Sequence, residues 1–329
     1  MTSKKMKASI ASAYGGPEVL SVEEISRPKV KAGEVMVNVK TSAATRADVM
    51  MLTGKPWIGR LFLGFSKPKY PITGTGFAGQ VVEVGAGVSR FKKGDRVFGL
   101  TTLHFSANAE YLCIGEDGVI LHLPDSLDYS QAANFGDGHL TSYNFLHEIA
   151  KVKVGQQVLV NGASGALGTS AIQIAKYLGA EVTAVSSVSN HGLVKSLGAD
   201  HVIDYKEVDF TKMDKAYDVV FDTIGNRSFA EVKPVLAREG VYLSPVLKLL
   251  NLWDTFRTSF TKGKKAIFAA TGINKDPKLR EMLGAVLKSY SEGKLKTVID
   301  RQFPLEKIAD AYRYIDTGRK KGNVVIYNL

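Results

Sequence analysis

A single cysteine, Cys113, occurs in the 329 residues. That excludes an internal disulfide and any zinc site built from several cysteines. No run approaches the ~20 apolar residues that a membrane span needs. Residues 1–7 lead into no apolar stretch and show no cleavage pattern, so a secreted protein is not expected and cytoplasm is the default compartment. The histidines, at 104, 122, 139, 147, 191 and 201, do not cluster at metal-ligand spacing, and most are expected at the surface or at helix ends. Internal repeats and low-complexity segments are absent. The formal net charge is +11, yet the lysines are scattered and form no block of five. Without a nucleic-acid-binding motif beside them, they read as a solvated surface compatible with steering an anionic ligand.

What is present is organised around Val158-Leu-Val-Asn-Gly-Ala-Ser-Gly-Ala-Leu-Gly168. The run 158–160 has the apolar character of a buried parallel strand. Glycines follow at 162, 165 and 168, and then Ala171, Ile172, Ile174, Ala175 and Leu178 recur at helical spacing. Such a turn lets backbone approach a pyrophosphate, which meets the unpaired N–H groups and the positive dipole end of the helix. In the register G-x-G-x-x-G the first slot holds Ala163, so a tight turn without a ligand stays open on the motif alone. Further apolar runs at 182–185, 201–204, 218–222 and 241–243 alternate with helical segments. This predicts the α/β class, with a doubly wound parallel sheet.

The end of the second strand decides between cofactors. An NAD site carries Asp or Glu about 20 residues beyond the first glycines, bound to the ribose hydroxyls. Here the segment is Val185-Ser-Ser-Val-Ser-Asn-His191, with no carboxylate. Hydroxyls leave room for a 2′-phosphate and donate to it, so NADP(H) is expected over NAD(H). The loop holds no arginine, and a cation would have to come from elsewhere.

Residues 6–125 read as mostly β. Glu34-Val-Met-Val-Asn-Val-Lys40 alternates with period two, and 81–84 and 96–98 are short strands. Residues 46–52 fit two helical turns. A helical pattern begins near Ser130, a candidate cap, and runs through Thr141 to 150. The dinucleotide-binding domain is therefore expected at 126–270, closed by a strand at 265–270, after a β-rich domain at 1–125. The remainder, 271–329, reads as a helix at 278–290, a strand at 298–303, a helix at 305–315 and a strand at 323–327. It is marginal alone and is expected to return to the first domain.

The motifs Gly15-Gly-Pro-Glu-Val-Leu20, Phe77-Ala-Gly-Gln-Val-Val-Glu-Val-Gly85, Phe91-Lys-Lys-Gly-Asp-Arg-Val-Phe98, Lys195-Ser-Leu-Gly-Ala-Asp200, Asp218-Val-Val-Phe-Asp-Thr-Ile-Gly225 and Lys321-Gly-Asn-Val-Val-Ile326 join the glycine turn. In combination they make nearly the whole chain resemble the zinc-free, quinone oxidoreductase branch of the medium-chain dehydrogenase/reductase superfamily. The resemblance implies a GroES-like barrel domain joined to a Rossmann domain, with the active site in the cleft between them. Zinc relatives carry Gly-His-Glu where this chain has Gly74-Thr75-Gly76, so no metal site is expected. Without zinc or a Tyr/Lys pair to hold an alkoxide, hydride addition to a quinone or an α,β-unsaturated carbonyl is the less demanding reaction. The acceptor's own carbonyl spreads the charge and water can supply the proton. No catalytic side chain is singled out.

Carried over from the family, Thr141 lies near the nicotinamide or its phosphates, or only caps a helix. Ser164, Gly165, Ala166 and Leu167 hold the pyrophosphate. Ser186, Ser187, Asn190 and Tyr205 flank the 2′-phosphate, Tyr205 alternatively covering the adenine edge of the sheet. Thr223 approaches the adenosine or ribose, and Asn323 the nicotinamide side. On the substrate side, relatives have Asn-Pro where this chain has Thr45-Arg46. Thr45 is a candidate hydrogen-bond partner of the acceptor carbonyl, or purely structural. Trp57 and Phe62 are candidate cleft-lining residues, or anchors of a core or loop. Residues 247–260 carry Leu250, Trp253 and Phe256 at i, i+3, i+6. This amphipathic helix covers the cleft, meets a membrane face, or packs against the protein or a partner subunit. Sheet edges in this superfamily commonly pair across a two-fold axis, so a homodimer through the strand at 265–270 is expected. Two other functions stay open: a zinc-free alcohol or aldehyde oxidoreductase, and a non-catalytic nucleotide- or RNA-binding member of the fold.

Overall fold

The computed structural model describes residues 4–55 and 57–328, apart from the side chains of Ile58 and Phe62. Within it the chain forms two compact units. One takes the residues up to 137, with 272–285 and 299–329; the other takes 138–271 and 286–298.

The first unit is built on antiparallel strands. A two-stranded ribbon pairs β1 (Lys5–Ala11) with β2 (Leu20–Ser26). The main sheet draws on β3 (Glu34–Ala44), β4 (Gly76–Val84), β5 (Arg96–Leu100), β6 (Tyr111–Gly115) and β7 (Val119–His122). The alternating Val35, Val37 and Val39 of β3 meet Phe77, Val97, Leu112 and Ile120 in one buried cluster. Helix α1 (Arg46–Thr53) follows β3 directly.

In the second unit the six parallel strands are β8 (Gln157–Asn161), β9 (Glu181–Ser186), β10 (His201–Asp204), β11 (Tyr217–Asp222), β12 (Leu236–Ser244) and β13 (Lys265–Phe268). Their order is β10-β9-β8-β11-β12-β13. Counted from β8 this is 3-2-1-4-5-6, the Rossmann order, in which ligands bind beyond the carboxyl ends of the strands. Helix α2 (Ala166–Tyr177) follows β8, and α3 (Leu249–Ser259) precedes β13. Strand β12 starts earlier than its apolar run at 241–243, because the exposed Arg238 and Glu239 lie within it near a register break against β11.

The tail contributes α4 (Asp276–Ser291), β14 (Ile299–Pro304), α5 (Ile308–Asp316) and β15 (Asn323–Tyr327). β15 adds antiparallel to β3, and β14 adds parallel to β15. Leu305, Ile308, Ala311, Tyr312 and Ile315 then pack on Val49 and Leu52 of α1. A segment too small for its own core completes another.

Two expectations need correction. The helix read from Ser130 starts at Tyr129, with Asp128 at its cap position and Ser130 inside it. It is also interrupted by wide turns at Phe135–His139 and Asn144–Ile149. Gly136 and Gly138, poor helix formers, fall in the first of these. The second correction concerns β13. It is an end strand, but its edge is not open. Thr258 Oγ1 accepts from the Ala266 N–H at 3.1 Å, its one proton lying between the Asp254 carbonyl at 2.7 Å and the Ala266 carbonyl at 3.2 Å. Thr255 Oγ1 accepts from the Phe268 N–H at 2.8 Å. Helix α3 thus takes the Ala266 and Phe268 N–H groups that strand pairing across a two-fold would use.

Candidate dinucleotide site

Three glycines shape the turn between β8 and α2, each for a different reason. Gly162 has φ 77°, a left-handed conformation that favours glycine. At Gly168 a β-carbon would lie 2.2 Å from the Gly162 carbonyl oxygen, so only glycine lets α2 pack this close to the turn. Gly165 is the N-cap of α2, in extended conformation. A β-carbon there would meet only the Gly162 oxygen, at an ordinary 3.5 Å. The chain's own packing does not require Gly165, and the missing side chain leaves space above the helix end. No side chain caps that end, and the first N–H groups of a helix have no intrahelical acceptor.

The turn is held from below by Asp222, a residue the sequence did not single out. It is fully buried at the end of β11. Its Oδ1 accepts from Asn161 Nδ2 at 2.9 Å and from the Gly225 N–H at 2.9 Å. Its Oδ2 accepts from the Arg227 N–H and the Tyr242 hydroxyl, both at 3.1 Å. Burial, with the Asp222 charge beside it, raises the Tyr242 phenol well above its ordinary range and keeps it a donor. Thr223 Oγ1 donates to the Asn161 carbonyl at 2.8 Å. The carboxyl ends of β8 and β11 are thereby locked together beneath the glycines.

Beyond β9 lies a cluster of small polar groups. Asn190 Nδ2 donates to Ser164 Oγ at 3.1 Å and to Ser187 Oγ at 3.2 Å, joining this loop to the glycine turn. Ser187 and Ser189 hydroxyls are 3.1 Å apart. The Oδ1 of Asn190 is buried without a hydrogen-bond partner among the described residues. Ser186 differs from its neighbours: it is buried, and its hydroxyl donates to the Ser187 carbonyl at 3.3 Å. Ser189, absent from the sequence reading, is exposed instead. Tyr205 directly follows Asp204, the register partner of Ser186, and is 57% exposed.

Thr141 lies inside the short helix Leu140–Tyr143, not at its cap. The next residue, Ser142, donates to the Leu167 carbonyl at 2.9 Å, tying this helix to the first turn of α2. Thr141, the 164–167 turn, Ser186, Ser187, Asn190, Tyr205 and Thr223 therefore belong to the second unit, around the carboxyl ends of its strands. His139 is buried, not at the surface, with Nε2 3.2 Å from Thr297 Oγ1, and burial lowers its ring to about 4, so it is neutral.

Thr45, Trp57 and Asn323 belong to the first unit. Thr45 is the N-cap of α1 and is buried. Its hydroxyl accepts from the Asp48 N–H at 3.0 Å and its own N–H donates to Asp48 Oδ2 at 2.9 Å, a reciprocal capping box, and the hydroxyl also donates to Asp48 Oδ2 at 2.8 Å. Asp48 is buried too, and burial pushes its carboxyl up to about 7 against the opposing effect of the Thr45 bonds, with the charge of Asp137 adding to the rise. Asn323 is buried at the start of β15. Trp57 is 68% exposed, and the Phe62 side chain lies outside the described residues.

The donors for zinc do not fit. Thr75 and Gly76 stand at the positions of the metal-binding segment, and a β-carbon on Gly76 would lie 2.4 Å from the Ala133 carbonyl oxygen. Backbone packing forbids an acidic side chain there. Among the described residues no group of three or more His, Cys, Asp or Glu is arranged to hold a metal ion.

Comparison with known proteins matches residues 31–148 to the alcohol dehydrogenase GroES-like domain and residues 197–326 to a family described as zinc-binding dehydrogenase. The chain is 32% identical to the NADPH-dependent alkenal/one oxidoreductase of Arabidopsis thaliana, over 99% of its own length and 80% of the relative's. It is 30% identical to the quinone oxidoreductase of Homo sapiens, over 96% and 95%. Among solved structures, the quinone oxidoreductase from Coxiella burnetii superposes with a TM-score of 0.86 at 28% identity, over 98% and 99% of the two chains.

Proposed function

This chain belongs to the medium-chain dehydrogenase/reductase superfamily, in its quinone oxidoreductase branch, and from that premise we propose that it reduces quinones or α,β-unsaturated carbonyls with NADPH. The observation that carries the proposal is the space left above Gly165 beside a hydroxyl and amide loop without a carboxylate. NADPH, when bound, supplies hydride. The chain's part is to hold and orient. The N–H groups of Ala166 and Leu167 and the Ser164 hydroxyl take the pyrophosphate, and Gly165, whose own N–H is bonded to the Gly162 carbonyl, leaves room for it. The Ser187 and Ser189 hydroxyls take the 2′-phosphate, and Asn190, whose amide nitrogen bonds Ser164 and Ser187, holds the loop beside it, Ser186 supporting them from beneath. The Tyr205 ring covers the adenine side, Thr223 holds the ribose side, and Thr141 and Asn323 serve the nicotinamide end. Thr45, Trp57 and Phe62 remain the substrate-side candidates.

The reaction proceeds without zinc in this reading, because the segment at Thr75 and Gly76 has no ligand to give. The unit boundaries near 137 and 271 serve as the domain boundaries. A homodimer and a cytoplasmic location, consistent with the lone cysteine, complete the proposal. No helix among the described residues is long and apolar enough to cross a membrane.

The test is an absorbance assay of NADPH oxidation against a panel of quinones and enones, run beside NADP⁺ reduction by alcohols. Turnover of at least one quinone or enone is expected. Turnover of alcohols alone would replace this reading with the alcohol oxidoreductase one.

A further inference from the structure

An ordinary surface helix turns its apolar stripe to the core. Helix α3 does the opposite. Its buried residues are Asn251 and Thr258. Asn251 Nδ2 donates to the Val246 carbonyl at 2.9 Å, and Thr255 and Thr258 accept the N–H groups of β13. The apolar residues face outward: Leu249 is 75% exposed, Leu250 65%, Trp253 61%, Phe256 59% and Phe260, just past the helix end, 77%. The rings form a continuous ridge, with centroids 6.1 Å apart for Trp253 and Phe256 and 5.1 Å for Phe256 and Phe260. A contiguous apolar surface of this kind marks an interaction site.

Basic side chains bracket the ridge. Lys248 is the N-cap residue of α3, and Arg257 lies in its last turn. Lys262 and Lys264 follow Phe260, and Lys265 opens β13. Asp254 is the single carboxylate among residues 248–265, and it pairs with Arg257 at 3.1 Å. The Nζ groups of Lys248, Lys264 and Lys265 donate to the carbonyls of Gly225, Lys233 and Thr258. Those acceptors are neutral, so the lysines keep their charge uncompensated. Lys262 is exposed and makes no hydrogen bond or ion pair among the described residues. The patch is therefore both apolar and cationic.

We propose that the α3 ridge and its lysines dock on the surface of an anionic phospholipid bilayer, the rings at the boundary of headgroups and acyl chains and the cations among the headgroups. Both halves of the patch match that surface. Tryptophan and other aromatic rings favour the boundary layer. Each basic side chain near an anionic surface strengthens binding about fivefold, and lysine stems are long enough to keep the ammonium at the headgroups while the rings go deeper. With 11 residues α3 is too short to span a bilayer, so it lies on it. The threonine bonds to β13 fix the ridge in its outward orientation, so docking needs no rearrangement of the helix. A second copy of the chain fits less well. A two-fold contact sets the same patch against itself, and the uncompensated lysines of one copy would face those of the other. Like charges so placed oppose association.

The experiment is cosedimentation of the full chain with vesicles of pure phosphatidylcholine and of phosphatidylcholine mixed with phosphatidylglycerol. It compares the wild type, Lys262→Glu and a Trp253→Glu, Phe256→Glu double variant. All three side chains are largely exposed, so both variants should keep the circular dichroism and melting temperature of the wild type. The wild type is expected to bind the mixed vesicles at least about tenfold more tightly than the pure ones, with the preference shrinking at high salt. The folded double variant should lose at least about 100-fold on the mixed vesicles. Lys262→Glu leaves the rings in place and should lose on the order of tenfold on the mixed vesicles and nothing on the pure ones. The chain has two tryptophans, so in a Trp57→Phe background the emission of Trp253 should shift to the blue as mixed vesicles are added. A wild type that stays in the supernatant with both vesicles, equal binding to the two, or a folded double variant that binds like the wild type would each overturn the proposal. A wild type that ignores lipid, with a mass by light scattering that falls to the chain mass in the double variant, would overturn it in favour of a second copy. None of these outcomes depends on turnover, so the oxidoreductase reading stands or falls separately.

Discussion

Gly74-Thr75-Gly76 in the first unit and the turn from Gly162 to Gly168 in the second are both glycine-rich, yet their glycines answer to different neighbours. At Gly76 and Gly168 the neighbour is the chain itself: a β-carbon would reach the Ala133 oxygen at 2.4 Å in one case and the Gly162 oxygen at 2.2 Å in the other. At Gly165 the chain asks for nothing, and the vacancy points outward. The presence of a glycine is therefore no evidence for a ligand until the atoms around it are known. A glycine that the fold does not need is the informative one.

The comparison can be broken by refilling these positions. The largest effects should come from Gly168→Ala and Gly76→Asp. Each drives a β-carbon into backbone, and overpacking of this kind costs on the order of 1–3 kcal/mol or more. Thermal unfolding should show a drop of several degrees for both. Gly76→Asp should gain no zinc, although it supplies the acid that zinc relatives carry. A Gly76→Asp protein of undiminished stability would mean that the Ala133 backbone yields easily.

Asp48 gives the next effect, through pH. Its folded value of about 7 lies above the ordinary carboxylate value near ~3.9. The fold thus favours the protonated form, and the native state binds more protons than the unfolded chain between the two values. Stability from this group is present below pH 4 and lost as pH rises through 7. Asp48→Asn keeps an acceptor for the Thr45 cap and removes the titration. The wild type should lose on the order of 2–4 kcal/mol relative to the variant between pH 4 and 8. Denaturant titrations of both proteins across that range check it. Parallel stability profiles would mean that Asp48 is ionised throughout.

A smaller effect is expected at the second strand end. Ser187→Asp places a carboxylate where the 2′-phosphate is read. One charge-assisted hydrogen bond is worth about 1.5–3 kcal/mol, so NADPH affinity should fall at least about tenfold while NADH is spared. Ser186→Asp is the poorer probe, because Ser186 is buried and the change would disturb the strand first. Fluorescence titration with both cofactors measures the difference. Equal losses for the two would mean that this loop does not distinguish them.

Much of the fold was legible because it follows from period and punctuation. The runs at His201–Asp204 and Asn323–Tyr327 were read to the residue, and the alternation of strand and helix implied the parallel sheet. What was not legible depends on contacts distant in sequence. Asp222 reaches Asn161 across 61 positions and Tyr242 across 20, and no local pattern announces such a hub. The spacing of Leu250, Trp253 and Phe256 defines one face of a helix but not the direction in which it points. The inward face was decided by Thr255 and Thr258, whose partners on β13 exist only once the sheet has formed. The hydroxyl loop after β9 was found from its missing carboxylate, but sequence could not tell buried Ser186 from exposed Ser189.

The most direct test is Gly165→Ala, measured for stability and cofactor binding on the same preparation. A β-carbon at this N-cap meets nothing closer than 3.5 Å, so thermal stability should change by no more than about 1 kcal/mol. The methyl group would occupy the space through which backbone approaches the pyrophosphate, so NADPH affinity should fall by at least about tenfold. A variant that melts like the wild type and binds NADPH weakly is the predicted result. One that binds NADPH as tightly as the wild type would contradict the assignment of this turn to the dinucleotide.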